Sequence, residues 1–109
     1  MPVELPAVIA GFFHAHNSGQ TENLPALFTA GAVVSDEEHE YRGTPAIRAW
    51  LEAALAKYHP QAEVTSLTWE GAQLTATATV SGTFPGSPTQ LHYRFTLQGD
   101  QIAALEIGA

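Results

Sequence analysis

The spacing of apolar residues changes from a helical to an alternating period at about residue 63, and this change constrains the fold more than any other feature of the chain. Before it, apolar side chains recur at three- and four-residue steps, whereas after it they alternate with polar ones. Helices followed by antiparallel strands are typical of an α+β domain. Because 109 residues suffice for one domain and are too few for two, residues 1–109 are expected to form a single domain.

Three helices are predicted in the first part of the chain. The first covers residues 7–16 and stops at Asn17-Ser18-Gly19, where glycine is free to take a positive φ. A second, shorter helix is predicted over about residues 22–29. The third gives the clearest signal, with Thr44 as its N-cap and its last apolar residue at Tyr58, just before a His-Pro stop.

The alternating part predicts half-buried antiparallel strands over about residues 64–70, 74–81, 91–98 and 102–107, and two shorter strands flank a polar tip at residues 36–40. In the first long strand, Leu67 and Trp69 are assigned to the helix-facing side and Val64 to the other. The opposite series along the sheet is mostly threonine with few charges. This composition favours a homodimer that packs through the sheet face, and a threonine-rich face exposed to solvent is the alternative.

Charge and composition exclude several classes of protein. Four Lys and Arg against 11 Asp and Glu give a net charge of −7, which repels nucleic acid and anionic membrane surfaces. Without cysteine there is no disulfide, no thiolate nucleophile and no cysteine-rich zinc site. No apolar stretch is long enough to cross a membrane. The first four residues lack the basic start of an export signal, so a cytoplasmic location is expected.

The segment from Phe12 to Leu51 resembles the first half of the nuclear transport factor 2-like superfamily, which includes ketosteroid isomerases, scytalone dehydratase and SnoaL-like polyketide cyclases. The matching residues are Asn17-Ser18-Gly19, Leu27-Phe28, Ala32-Val33-Val34 and Gly43-Thr44-Pro45-Ala46-Ile47-Arg48, and in the second half His92-Tyr93-Arg94-Phe95 and Asp100-Gln101-Ile102. The resemblance implies a cone-shaped half-barrel, in which three N-terminal helices pack on a curved antiparallel sheet around an apolar pocket. It also implies frequent dimerisation through the sheet. The motifs specify the fold, and the fold by itself does not assign an activity.

Asp36 is the leading candidate for a catalytic residue. The resemblance places it at the strand position where ketosteroid isomerases carry the carboxylate that moves a proton between carbons. The parity of the strand puts it on the same side as Val34, which is expected to face inward, and a carboxylate in an apolar cavity is suited to act as a general base. The alternative is a solvated turn, because Asp36 begins a run of four carboxylates within five residues.

The ketosteroid isomerase pattern lacks its two hydrogen-bond donors in this chain. Their positions correspond to Phe12 and Leu91, and neither side chain can donate to an oxyanion. In ketosteroid isomerases these two donors are a tyrosine and a protonated aspartic acid, which together stabilise the oxyanion. His16 and Tyr93 are the available substitutes, and a core histidine and core tyrosine with satisfied hydrogen bonds are the alternatives. Steroid isomerisation is therefore not expected.

The sequence analysis predicts a domain that binds a small apolar or aromatic molecule, with proton transfer by Asp36 as its enzymatic version. A noncatalytic binding or dimerisation module of the same superfamily is the alternative. The predicted pocket-lining residues are Phe12, His16, Tyr41, Trp50 and Tyr93. The pocket is expected to form only if the small residues Ala76, Ala78 and Ala104 on inward strand positions leave space opposite them.

Metal and cofactor sites are not predicted. His14 and His16 point about 200° apart on a helix and cannot chelate one ion together, so His39 and the neighbouring glutamates are read as a turn and not as a metal site. The chain has no phosphate-binding glycine loop and no Gly-x-Ser-x-Gly motif.

Overall fold

The computed structural model of the chain describes residues 5–109. Its elements are α1 (Ala7–Ser18), a 3-10 turn (Leu24–Leu27), β1 (Phe28–Asp36), β2 (His39–Arg42), α2 (Thr44–Tyr58), β3 (Gln61–Glu70), β4 (Gln73–Ser81), β5 (Thr89–Gln98) and β6 (Gln101–Gly108). The two helices pack on a six-stranded sheet of order β2-β1-β6-β5-β4-β3. The predicted α+β class and open half-barrel are confirmed, with β2 and β3 at the two edges. The expectation about an export signal concerns residues 1–4, which lie outside the described residues.

The ends of both long helices follow local sequence signals. As predicted, α1 stops before Gly19, which has a φ of 79° and donates its backbone N–H to the Ala15 carbonyl at 3.0 Å. Thr44 is not the N-cap of α2 but its first residue, because Gly43 occupies the capping position. The C-terminal end of α2 lies at Tyr58, as the sequence indicates.

The predicted second helix is reduced to the single 3-10 turn at Leu24–Leu27. Pro25 lies in that turn and has no backbone N–H to extend a helical ladder. Phe28 already belongs to β1 and pairs with Ile102 of β6, so strand pairing takes over where the helix was expected to continue. Gly31, just beyond the predicted end of that helix, accordingly lies within β1.

The sheet is mixed, whereas the sequence analysis expected a purely antiparallel one. β1 runs parallel to β6, with Val34 opposite Leu105, while every other neighbouring pair of strands is antiparallel. The alternation of apolar residues reports which side chains share a face and carries no information on strand direction. This is why the parallel pair was missed.

A bulge in β3 changes which residues of that strand face the helices, so the predicted assignment of Val64 is wrong. The register with β4 shifts between Val64 and Ser66, so that Val64 lies opposite Ala78 and Leu67 opposite Ala76. The extra residue, Thr65, reverses the parity of the strand. Val64 therefore lies on the helix-facing side together with Leu67, and not on the opposite side.

The register of β5 and β6 also shifts, between Thr96 and Leu97. Ala104 consequently lies opposite Thr96 on the outer face of the sheet, away from the helices. The expectation that Ala104 faces inward is wrong, because the extra residue in β6 changes the parity there as well.

The core fills the space between α1, α2 and the inner face of the sheet. Phe12 is 0% exposed and stands at its centre, where its ring packs against the rings of Phe13, Phe28, Tyr93 and Phe95 at centroid distances of 5.2 to 6.3 Å. Ala76 and Ala78 are also fully buried in this core. Across residues 5–109, no helix is long and apolar enough to span a membrane.

Candidate functional site

A cavity of about 460 Å³ opens beside the aromatic core, between α2, the β4–β5 connection and the ends of β5 and β6. Most of its wall is apolar or aromatic, as in sites that bind small organic molecules. The wall residues are His16, Asp36, Glu37, Trp50, Leu51, Ala54, Tyr58, Pro60, Val80, Phe84, Pro85, Thr89, Leu91, Tyr93 and Ile107.

Asp36 brings a carboxylate to this wall from the last position of β1. Its Oδ2 atom accepts a hydrogen bond of 3.0 Å from the indole Nε1 of Trp50, which lies on α2. Burial raises the pKa of Asp36, and the bond from Trp50 opposes that rise. The carboxylate is thus held in place by the Trp50 indole and made more basic by its burial, as a general base requires.

The turn after Asp36 has an unusual backbone. Glu37 and Glu38 both have positive φ angles, 51° and 67°, and they connect Asp36 to its strand partner His39. A two-residue hairpin with both central residues in this region is normally made by Asn and Gly, so two glutamates here store strain. The turn sets Glu37 in the cavity wall beside Asp36.

Asn17 determines which nitrogen of His16 carries the proton. The Asn17 amide donates from Nδ2 to the Ala62 carbonyl at 2.9 Å, and its Oδ1 accepts from the Ala62 backbone N–H at 2.8 Å. Since Oδ1 can only accept, the 2.9 Å contact with His16 Nδ1 requires that Nδ1 donates. Burial lowers the pKa of His16, so the ring is neutral and Nε2 is a hydrogen-bond acceptor.

His16 and Tyr93 both present a free polar atom to the cavity. Within residues 5–109, neither His16 Nε2 nor Tyr93 Oη has a protein hydrogen-bond partner. In the same residues, every fully buried polar atom of a side chain has such a partner. Both atoms must therefore be accessible, and both residues line the cavity. Burial, together with the negative charge of Asp36, raises the pKa of Tyr93, which keeps its hydroxyl protonated and able to donate.

The family model for the SnoaL-like domain matches residues 9–105. The chain belongs to the SnoaL-like domain family. This assignment confirms the resemblance to the nuclear transport factor 2-like superfamily. No functionally curated protein has a sequence that matches this SnoaL-like chain.

Solved structures agree with the family assignment. A candidate polyketide cyclase from Sinorhizobium meliloti is 38% identical, with a TM-score of 0.92 and coverage of 95% of each chain. A protein of ketosteroid isomerase-like fold from Catenulispora acidiphila, in complex with trimethylamine, is 18% identical with a TM-score of 0.85, covering 97% of this chain and 87% of that one. An NTF2-like protein of unknown function from Cytophaga hutchinsonii is 14% identical with a TM-score of 0.78, and the match covers 99% of this chain and 93% of that one. At these last two identities the likeness concerns the fold.

The structure brings four of the six predicted site residues of this SnoaL-like domain together. Asp36, His16, Trp50 and Tyr93 all line the cavity. Phe12 does not, because its ring is enclosed by other core rings. Tyr41 also lies outside the wall, and its ring stands behind Trp50 at a centroid distance of 6.0 Å. The sequence analysis offered both His16 and Tyr93 as substitute hydrogen-bond donors. Because the free Nε2 of His16 accepts hydrogen bonds, Tyr93 is left as the substitute donor.

Several wall residues were not found by sequence reasoning. Glu37 follows Asp36 directly and was read as part of a solvated turn, while Tyr58 and Phe84 meet only because the β4–β5 connection folds back onto the end of α2. The Thr83 backbone N–H donates to the Tyr58 carbonyl at 2.7 Å and fixes that contact. No periodic signal marks a loop of this kind, so its place in the wall depends on tertiary packing.

Metal ligands are not assembled at this site. In the part of the chain that the structure describes, no three His, Asp or Glu side chains lie close enough together to hold an ion.

Proposed function

We propose that this SnoaL-like domain binds a small apolar or aromatic molecule in the cavity and that Asp36 transfers a proton on the bound molecule. The carboxylate of Asp36 in the cavity wall, raised in pKa by burial, is the observation that carries the proposal. A relative that is a candidate polyketide cyclase, 38% identical over 95% of the chain, supports this reading.

The reaction proposed is proton abstraction from a carbon next to a carbonyl group. Asp36 takes the proton, the electron pair of the broken C–H bond moves into the carbonyl, and the oxygen gains negative charge. Tyr93 is the group that donates a hydrogen bond to that oxygen, and the protonated Asp36 returns its proton to the same or another carbon. With one neutral donor, the site is suited to carbon acids that are already activated, such as β-dicarbonyl compounds.

The test is deuterium exchange into a panel of activated ketones and lactones in D2O, followed by NMR. We expect the chain to catalyse exchange for at least one compound and the rate to fall about 100-fold or more in Asp36→Asn, as for loss of a general base. Glu38→Gln is the matched control, because Glu38 lies in the same acidic turn but outside the cavity wall. Equal exchange by the wild type and Asp36→Asn would contradict the catalytic role and favour a noncatalytic binding module.

The same Asp36→Asn variant is expected to be at least as stable as the wild type at pH 7. A pKa raised by folding means that the protonated carboxyl stabilises the folded state and that this contribution is lost as the pH rises through the raised value. Asparagine stays neutral, so we expect a melting temperature equal to or above that of the wild type at pH 7, with the gap closing toward pH 3. A lower melting temperature at pH 7 would show that the carboxylate is not penalised by burial.

We further propose that two copies associate through the outer face of the sheet. Arg94 and Glu106, an exposed cross-strand pair on this face, neutralise each other at 2.6 Å. Around them lie small or weakly polar residues that a partner surface can cover without burying an unpaired charge. These residues are Val33, Ser35, Thr75, Thr77, Thr96 and Ala104.

Light scattering after size-exclusion chromatography tests the dimer. We expect a mass near twice 11.6 kDa for the wild type. We expect a monomer for Thr96→Arg, which puts a long charged side chain in the middle of the face. Ala56→Arg, on the exposed side of α2, is the control and is expected to remain dimeric. A wild-type monomer at high protein concentration would contradict the proposal.

A further inference from the structure

The charged side chains of the cavity wall all have the same sign. Asp36 and Glu37 are carboxylates, while none of the described wall residues is Lys or Arg. An anionic ligand would find no counter-charge in the wall, and a neutral ligand would leave Asp36 without a cationic partner there. Glu37 also interacts with Lys57, which lies outside the wall. A cation is the ligand class that such a wall stabilises.

Two nitrogen atoms of the wall, on Trp50 and His16, are consistent with the same ligand class. Trp50 Nε1 is a dedicated donor, but its hydrogen is already used by Asp36. His16 is neutral and offers Nε2 as an acceptor, because the Asn17–Ala62 link fixes the proton on Nδ1. A ligand with N–H groups therefore meets acceptors at both Asp36 and His16, and no charged side chain of the wall repels it.

Aromatic side chains supply the remaining contact. Trp50, Tyr58, Phe84 and Tyr93 all contribute to the wall, and aromatic rings attract organic cations through their electron-rich faces. Lys57 is the basic group next to the site, with its Nζ atom 5.0 Å from the centre of the Tyr58 ring, but its side chain is exposed and outside the wall. The net charge of −7 favours approach of a cation over its neutral analogue.

We propose that the ligand of this cavity is a small organic amine, protonated at neutral pH, whose ammonium group pairs with the carboxylates of Asp36 and Glu37 while its apolar or aromatic part lies against the wall. This inference rests on the proposed function only in taking the cavity as a ligand site. An ammonium group beside Asp36 favours the ionised carboxylate and so opposes the rise in its pKa that burial causes.

Three probes of matched shape test the proposal: phenethylamine, 2-phenylethanol and phenylacetate, which are cationic, neutral and anionic at pH 7. Dissociation constants are measured by NMR chemical-shift perturbation at low ionic strength. We expect phenethylamine to bind at least tenfold more tightly than 2-phenylethanol and phenylacetate to bind weakest. Asp36→Asn and Glu37→Gln are each expected to reduce the preference for the amine, and Glu38→Gln is expected to keep it.

The outcomes separate this inference from the proposed function. If 2-phenylethanol binds as tightly as phenethylamine, or if phenylacetate binds best, the cation preference is overturned while the cavity remains a ligand site. If none of the three probes shifts the resonances of wall residues, the amine proposal is overturned as well, and the deuterium-exchange panel still decides whether Asp36 acts on a ligand of another class. A preference for the amine that survives Asp36→Asn and Glu37→Gln would overturn the assigned site.

Discussion

Replacing Phe12 with alanine is expected to lower the free energy of unfolding by about 3 to 5 kcal/mol, as for other fully buried aromatic residues. The ring is 0% exposed and makes edge-to-face contacts with four other rings of the core, the shortest at 5.2 Å to Phe13 and 5.4 Å to Phe95. Its removal forfeits those contacts and leaves a cavity that the surrounding strands cannot close. The measurement is urea denaturation followed by tryptophan fluorescence and circular dichroism.

Trp69→Ala is the control for this experiment. Trp69 is 53% exposed and is the one exposed large apolar side chain among the described residues. Its truncation removes a ring larger than that of Phe12 but is expected to lower the free energy of unfolding much less. We expect a change within about 1 kcal/mol for it. Because a domain of this size has about 5 to 15 kcal/mol of stability in total, Phe12→Leu serves as a milder variant if Phe12→Ala does not fold. A loss below 1 kcal/mol for Phe12→Ala would show that the ring is not the centre of the core.

Replacing Gly82 with alanine is expected to cost about 3 kcal/mol, at the upper end of the range for overpacking. A Cβ atom at this position would lie 2.5 Å from the backbone oxygen of Tyr58 and 3.1 Å from the Phe84 ring. The Tyr58 oxygen cannot move freely, because it accepts hydrogen bonds from the backbone N–H and the hydroxyl of Thr83 at 2.7 and 3.0 Å. The clash is therefore with backbone held in place, and the β4–β5 connection must shift.

The shift should also reach the cavity, because Tyr58 and Phe84 both line it. Gly31→Ala is the matched control, since nothing lies within 4 Å of a Cβ added there. We expect Gly31→Ala to change the melting temperature little, and Gly82→Ala to lower both the melting temperature and the affinity for any cavity ligand. Equal melting temperatures for the two variants would contradict the close approach of the β4–β5 connection to the end of α2.

One part of the candidate site could be predicted from the sequence, and another part could not. The inward parity of Asp36 follows from its spacing to Val34, and the structure places Asp36 in the cavity wall as that spacing indicates. The role of His16 does not follow from spacing. It depends on Asn17 bonding to Ala62, 45 residues away along the chain, and no local pattern encodes that contact.

What the sequence alone determined is the set of properties that depend on near neighbours: the change of period at about residue 63, the end of α1 just before Gly19, the extent of α2 and the side of the sheet on which most residues lie. The tertiary structure decided the rest. The parallel pairing of β1 with β6, the bulge at Thr65 and the meeting of Tyr58 with Phe84 each join residues that are far apart in the chain or shift a strand by one residue. Periodicity reports only the average environment of a segment, whereas a cavity and the proton on one nitrogen depend on individual contacts that form when the whole core closes.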